Sequence, residues 1–315
     1  TIKLDDLSAR EDSGLALDAS AAVDRNAATA RGRLRARAPS LQAVGAALAS
    51  LAPGPAERLR TLTREDGAVA TEISFQTEPA KGSGDRLAVG LGLDLRAGAV
   101  EAKIKGGIEP FAADGPAVSL DEIQLANADL GPFLGVPRAP IIASIRAPAK
   151  LSGSKIILTG IAGTIAGTPV TGEATLSIAG EPEIEAAITL DYLDLVPAFA
   201  IFVGGDGVAP AEPLRRGFGE SWRGQIAYRA KNARLVEGVE AQLLNGVVKG
   251  DGKGTTTATA EGTVGRGTLR HELSIQARGE GVDLAGRIEA KEVDAAALRL
   301  RGFALPGGKV TSTIS

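Results

Sequence analysis

The chain has 315 residues, 44% of them hydrophobic but only 3% aromatic, with 41 glycines, 16 prolines and a formal charge of −3. Without a basic excess it carries no electrostatic footprint for nucleic acid. Without cysteine it has no disulfide, no thiolate metal site and no cysteine nucleophile.

The first residues, Thr1-Ile2-Lys3-Leu4, are strand-like, and so are Val310-Thr311-Ser312-Thr313-Ile314 at the other end. A chain that opens and closes in strand sequence, with no Met at position 1, is expected to be a segment of a longer protein. Any leader or membrane anchor would then lie upstream. The longest uncharged run, residues 38–56, is dominated by Ala, Gly and Ser. It falls short of the roughly 20 strongly apolar residues that a spanning helix requires.

Arg33, Arg35 and Arg37 form a basic row on one strand face. The row suits either contact with acidic headgroups or, more simply, a solvated strand face. The best helix follows at 40–51, with Ser40 as N-cap, Leu41, Val44, Leu48 and Leu51 on one stripe, and Pro53-Gly54-Pro55 as the stop. A continuation through 56–64 is expected after the break.

Period-two alternation then dominates. Leu87, Val89, Leu91, Leu93 and Leu95 share one face, with Arg86, Asp94 and Arg96 on the other. After a turn at Ala97-Gly98, Val100, Ala102, Ile104 and Ile108 oppose Glu101, Lys103, Lys105 and Glu109. Such alternation marks half-buried antiparallel strands, whereas parallel sheets show continuous apolar runs. Short helices are expected after Asp129 and Asp194, each Asp acting as a cap with Pro in the first turn. Between them, turns at Gly167-Thr168-Pro169 and Gly180-Glu181-Pro182 separate hairpin-length strands, including one over 184–192 that contains Ile188.

The Gly- and Pro-rich stretch 204–219 divides the chain into segments 1–205 and 206–315, or else is one long loop within a single continuous sheet. Beyond it, Leu269, Leu273 and Ile275 alternate with Arg270, Glu272 and Gln276. A turn at 279–281 leads to Val282, Leu284 and Ile288, alternating with Asp283, Arg287 and Glu289. About fifteen strands are expected, with a weaker helix cap at Asp294-Ala295.

No catalytic constellation emerges. His271 is the only histidine and falls in phase with Leu269 and Leu273, reading as a hydrogen-bonded or edge-lying structural residue. In Gly219-Glu220-Ser221-Trp222-Arg223 an Arg stands where a nucleophile elbow needs its second Gly. Gly250-Asp251-Gly252-Lys253-Gly254 lacks the Ser or Thr of a phosphate loop and reads as a turn. Trp222 reads as an anchor against the preceding loop. Neither metal nor cofactor is expected, and the chain is not expected to be an enzyme.

A long sheet with one apolar face can fold back as a sandwich, close as a barrel, or curl into a trough for an apolar ligand. Many inward positions are small: Ala102, Gly106, Gly172, Ala174, Gly286 and Ala290. They fill a sandwich core poorly and suit the base of a trough. An outer-membrane barrel would need aromatic girdles, and the chain has two Tyr and one Trp.

The hairpin from Gly163 to Gly172, then Leu176, a Pro-containing turn and a strand ending in Leu193-Asp194-Leu195, resembles the AsmA-like family of Gram-negative envelope proteins. The opening strand through Asp6-Leu7-Ser8-Ala9-Arg10, the strand Arg31-Gly32-Arg33-Leu34-Arg35-Ala36 and the Ser40 helix extend that resemblance. It implies a periplasmic β-rich body tethered to the inner membrane by an N-terminal helix outside this sequence. It also implies a taco-like groove carrying phospholipid acyl chains between membranes, in the service of outer-membrane homeostasis.

The expected fold is therefore mainly β: a long antiparallel meander curled into a groove, with a few short capping helices. The groove-facing residues expected to touch lipid are Leu91, Leu93, Leu95, Val100, Ile104, Ile108, Ile188, Leu273, Ile275, Leu284 and Ile288. The alternative is a structural or protein-binding β scaffold with a closed, self-filled core.

Overall fold

The computed structural model describes residues 1–10, 14–25, 29–40, 42–44, 67–79, 87–109, 117–131, 140–177, 183–203, 222–279, 281–297 and 309–314. They are mainly β, and they group into two compact units: Thr1–Asp129 with Ala143–Leu151, and Leu130–Ile142 with Ser152–Ser315. The boundary expected at 205/206 falls inside the second unit, between two strands that pair with each other.

The first unit is an antiparallel meander of β1 (Ile2–Arg10), β2 (Ala16–Asp24), β3 (Thr29–Ala38), β4 (Val69–Pro79), β5 (Leu87–Ala97), β6 (Val100–Glu109) and β7 (Ala117–Asp129). Most of β8 (Ile142–Ser152) belongs with them. There Ser144 Oγ accepts a 2.9 Å hydrogen bond from the Asn127 N–H, and Arg146 pairs with Glu122. Gly98-Ala99 forms the tight turn that joins β5 to β6. At one end of the apolar face Ala38, Val69 and Ala97 are buried in a single register row. Ala43 and Val44 pack on them from the helix start, where Ser40 Oγ accepts from the Ala43 N–H at 3.1 Å. Ser40 is thus the N-cap that its sequence position suggests. The rest of the expected helix, the segment 56–64 and the one expected through Pro132-Phe133-Leu134 lie outside the described residues.

The second unit contains β9 (Lys155–Ile165), β10 (Thr168–Ser177), β11 (Glu183–Asp194), helix α1 (Leu195–Val203), β12 (Arg223–Val236), β13 (Val239–Asp251), β14 (Thr255–Val264), β15 (Gly267–Arg278), β16 (Gly281–Asp294) and β17 (Lys309–Ile314). Each pairs with the next, and all these pairings are antiparallel except β11 with β12. That parallel pair needs a crossover, and the connection, residues 195–222, opens with α1. Asp194 Oδ1 accepts from the Val196 N–H at 3.1 Å and its other oxygen pairs with Arg234 on β12, fixing the helix where the strand ends. Asp294 repeats the device, accepting from the Ala296 N–H at 3.0 Å ahead of a single 3-10 turn, Ala295–Ala297.

Two local expectations change. The β9–β10 turn is the pair Ala166-Gly167, both with positive φ (49° and 78°), so Thr168 and Pro169 already stand in the strand. This mirror-image turn matches the twist of its flanking strands. Gly106 and Gly172 are also small for another reason than the one expected. Both sit at β-bulges, where a Cβ would lie 2.3 Å from the Ser119 carbonyl oxygen and 2.2 Å from that of Ala187. Close backbone approach, and not open space, excludes a side chain there.

Trp222 is an anchor, but against β13 and β14. It is 1% exposed, its indole N–H donates to Thr256 Oγ1 at 3.2 Å, and its ring lies where Gly250 has no Cβ. Its expected partner, the preceding loop, lies outside the described residues. A Cβ on Gly250 would meet that ring and the Trp222 carbonyl at 2.5 Å. Gly250→Ala should therefore destabilise the protein by ~1–3 kcal/mol, the range for overpacking. Denaturant titration followed by the fluorescence of this single tryptophan measures it directly.

Candidate apolar sheet face and cavity

In the first unit, register decides what the alternation builds. Leu7, Ala19, Leu34, Ile73, Leu93, Ile104 and Ile123 lie in one row crossing from β1 to β7. Six strand spacings make that row ~29 Å along a flat sheet. Flanking rows bring Leu91 and Leu95 beside Phe75 and Thr71, and Ile108 beside Val89 and Val118. Val100 faces Ala97 at the end covered by the Ser40 helix start. The six residues expected here, Leu91, Leu93, Leu95, Val100, Ile104 and Ile108, thus share one face, and each is half-buried. Towards β1 the face is open: Leu7 is 56% exposed and Ile73 39%. Contiguous aliphatic surface of this kind is uncommon on a protein with nothing to bind.

The opposite face is ionic and self-compensating. Arg33 and Arg35 both hold Glu72, at 2.9 and 2.8 Å, and the Arg35 hydrogen bond keeps that carboxyl below its ordinary range. Lys103 pairs with Asp94 and Lys105 with Glu122. Two members of the basic row are therefore spent within the sheet, as in a solvated strand face.

In the second unit the apolar face bends around a cavity of about 710 Å³. Ile188 on β11 and Ile288 on β16 both line it. They stand five strand spacings apart, ~24 Å on a flat sheet, so the sheet must curl to bring them to one space. Leu273 and Ile275 on β15 line it as well. Leu284, paired with Ile275, is 42% exposed and lies outside this lining. Helix α1 closes one side with Leu195, Val196, Ala198 and Phe199. The far face of β11–β15 carries a wider depression of about 910 Å³, bordered by Arg229, Asn245, Glu261 and Arg270, whose mixed charge is that of a solvated surface.

Two polar side chains stand in the apolar lining. Tyr228 lays its phenol across Gly246, and burial pushes its pKa up to about 12. His271 is half-buried, and burial holds its imidazole below the ordinary histidine range. The edge-lying reading of His271 is corrected, because β15 is paired on both sides, with β14 and with β16. No hydrogen bond to its ring is formed among the described residues. Sequence reasoning passed over Tyr228 as a cavity wall and left open whether the helix after Asp194 plugs the end of a groove or touches a membrane. The phase Ile226-Tyr228-Ala230 carried the signal for the former, while the latter depends on the crossover.

Among the described residues no group of three or more His, Asp or Glu is placed to hold a metal ion. No family model, curated protein or solved structure matches this chain.

An open face and a packed core respond differently to charge. Ile73→Asp should leave the fold intact at a cost of ~1 kcal/mol. Val264→Asp, at a position with 0% exposure, should cost more than ~4 kcal/mol because the carboxylate has no route to water. Circular dichroism with urea titration of the two variants measures the contrast.

Proposed function

We propose that this chain is a lipid-binding segment that holds phospholipid acyl chains against the apolar face of its sheet. It acts as a carrier and not as a catalyst. The observation that carries the reading is the pairing of open aliphatic rows in the first unit with an aliphatic-lined cavity in the second. Acyl chains are the abundant ligands that ask only for apolar area and make no demand for directional polar contacts. A cavity of about 710 Å³ lies within the ordinary range for small-ligand sites.

The resemblance of the Gly163–Gly172 hairpin and the Ser40 region to the AsmA-like family supports a place for it. We read the chain as part of a periplasmic lipid-transfer protein, tethered to the inner membrane by a segment outside this sequence and serving outer-membrane homeostasis. The alternative, a scaffold with a self-filled core, is less well supported. It accounts for neither the exposure of Leu7, Leu34 and Ile73 nor the space beneath α1.

Purification from a Gram-negative host, followed by organic extraction and mass spectrometry, should recover phospholipid in stoichiometric amount. Leu93→Asp and Ile104→Asp, both in the aliphatic row of the first unit, should fold and lose at least half of that lipid. Lipid-free wild-type protein would overturn the reading, as would variants that retain the full complement.

A further inference from the structure

The cavity beneath α1 differs from the open face of the first unit in having helix residues along one side and an imidazole in its lining. We infer that it is a site for one single-chain fatty acid, with the alkyl chain along the aliphatic wall and the carboxyl group on His271. The inference rests on the acyl-chain reading above and narrows it.

Volume argues for one chain. At roughly 30 Å³ per non-hydrogen atom, taking liquid water as the scale, about 710 Å³ holds on the order of 24 such atoms. That is room for the chain of an acid of about sixteen to eighteen carbons.

The row through His271 gives the polar end its place. In register order it reads Tyr228, Gly246, Ala260, His271, Ile288. Tyr228 leans across Gly246, so Ala260 is the one side chain standing between the two polar groups in that row. Charged residues do not compete for the site. Glu272 and Arg287 border the cavity but belong, by alternation, to the other side of the sheet. There they pair with Arg270 at 2.9 Å and with Glu289 at 2.7 Å.

Among the described residues, the remaining elements around the cavity bring no other group that titrates near neutrality. The described α1 lining is wholly apolar, β14 offers Thr256 and Ala258, β16 offers Gly286 and Ile288, and Tyr228 stays protonated. A neutral imidazole facing apolar walls has one acceptor and one donor to satisfy. A carboxylate arriving with a proton meets that need and leaves the pair with no net charge, which a zwitterionic or cationic headgroup cannot do. Burial, which disfavours the lone imidazolium, keeps the ring neutral as long as the site is empty. On binding, the carboxylate reverses this and draws the proton onto the ring.

Because His271 is the only histidine, its ring signals can be followed by NMR without assignment of the rest. Delipidated full chain is titrated with palmitate and, separately, with methyl palmitate and a phosphatidylethanolamine dispersion. Expected are one palmitate per chain, an imidazole shift to the protonated form on palmitate alone, and a preference for acid over ester of about tenfold, the scale of a charge-assisted hydrogen bond. Palmitate affinity should fall as pH rises, by about tenfold per unit where one proton is taken up. His271→Gln should keep the fold and lose that pH dependence, and His271→Leu should lose the preference. Equal binding of acid and ester with an unmoved imidazole overturns the proposal and leaves the acyl-chain reading standing. An acid preference that survives in both variants also overturns it. Failure of all three ligands to bind overturns the acyl-chain reading itself.

Discussion

Every strand here can hide half of its side chains only if its neighbours are paired in one particular register. Side chains alternate across a sheet with a period of two, so a slip of one residue would send an entire aliphatic set to the polar side. Register is held because both faces agree on it. Leu34, Ile73, Leu93 and Ile104 meet on one side, while Arg35, Glu72, Asp94 and Lys103 meet on the other in the adjacent row. The ion pairs are exposed and individually weak. Their contribution is specificity, since a slipped strand would place these charges against Leu and Ile.

The same constraint explains where bulk is absent. Glycines at bulges let one strand's backbone approach the next, and each bulge bends and twists the sheet locally. Elsewhere a glycine gives its surface to an aromatic ring on the adjacent strand. Tyr228 covers Gly246, Trp222 covers Gly250, and Phe75 would collide with any Cβ on Gly32. With so few aromatic residues, each of these rings does the packing that several would share in a denser core.

Curvature converts a one-faced sheet into the wall of a cavity, and the crossover at β11–β12 finishes it. A meander of hairpins alone would leave the second unit's face as open as the first's. The parallel pairing requires a long connection, and Asp194, joined to Arg234, starts α1 where its apolar residues reach the cavity. In this unit the wall is supplied by β11, β12 and β13 through β16, with the helix along one side, and the polar floor by His271 and Tyr228.

Much of this was legible in the amino-acid sequence, and the reasons are local. Alternation at Leu91–Leu95 and Leu269–Ile275 defines strands and their inward sets, because side-chain direction follows from backbone geometry within two residues. Capping at Ser40, Asp194 and Asp294 is equally local, since a side chain there bonds to an N–H two or three residues away. The bulges at Gly106 and Gly172, the parallel β11–β12 pair and the joining of Ile188 to Ile288 around one space were decided only by tertiary structure. Each depends on which strand lies alongside and on curvature summed over several strands, and no short stretch of sequence contains either quantity. The sequence by itself determined that one face is apolar; the fold determined that in the second unit this face encloses a cavity, and that His271 stands inside it.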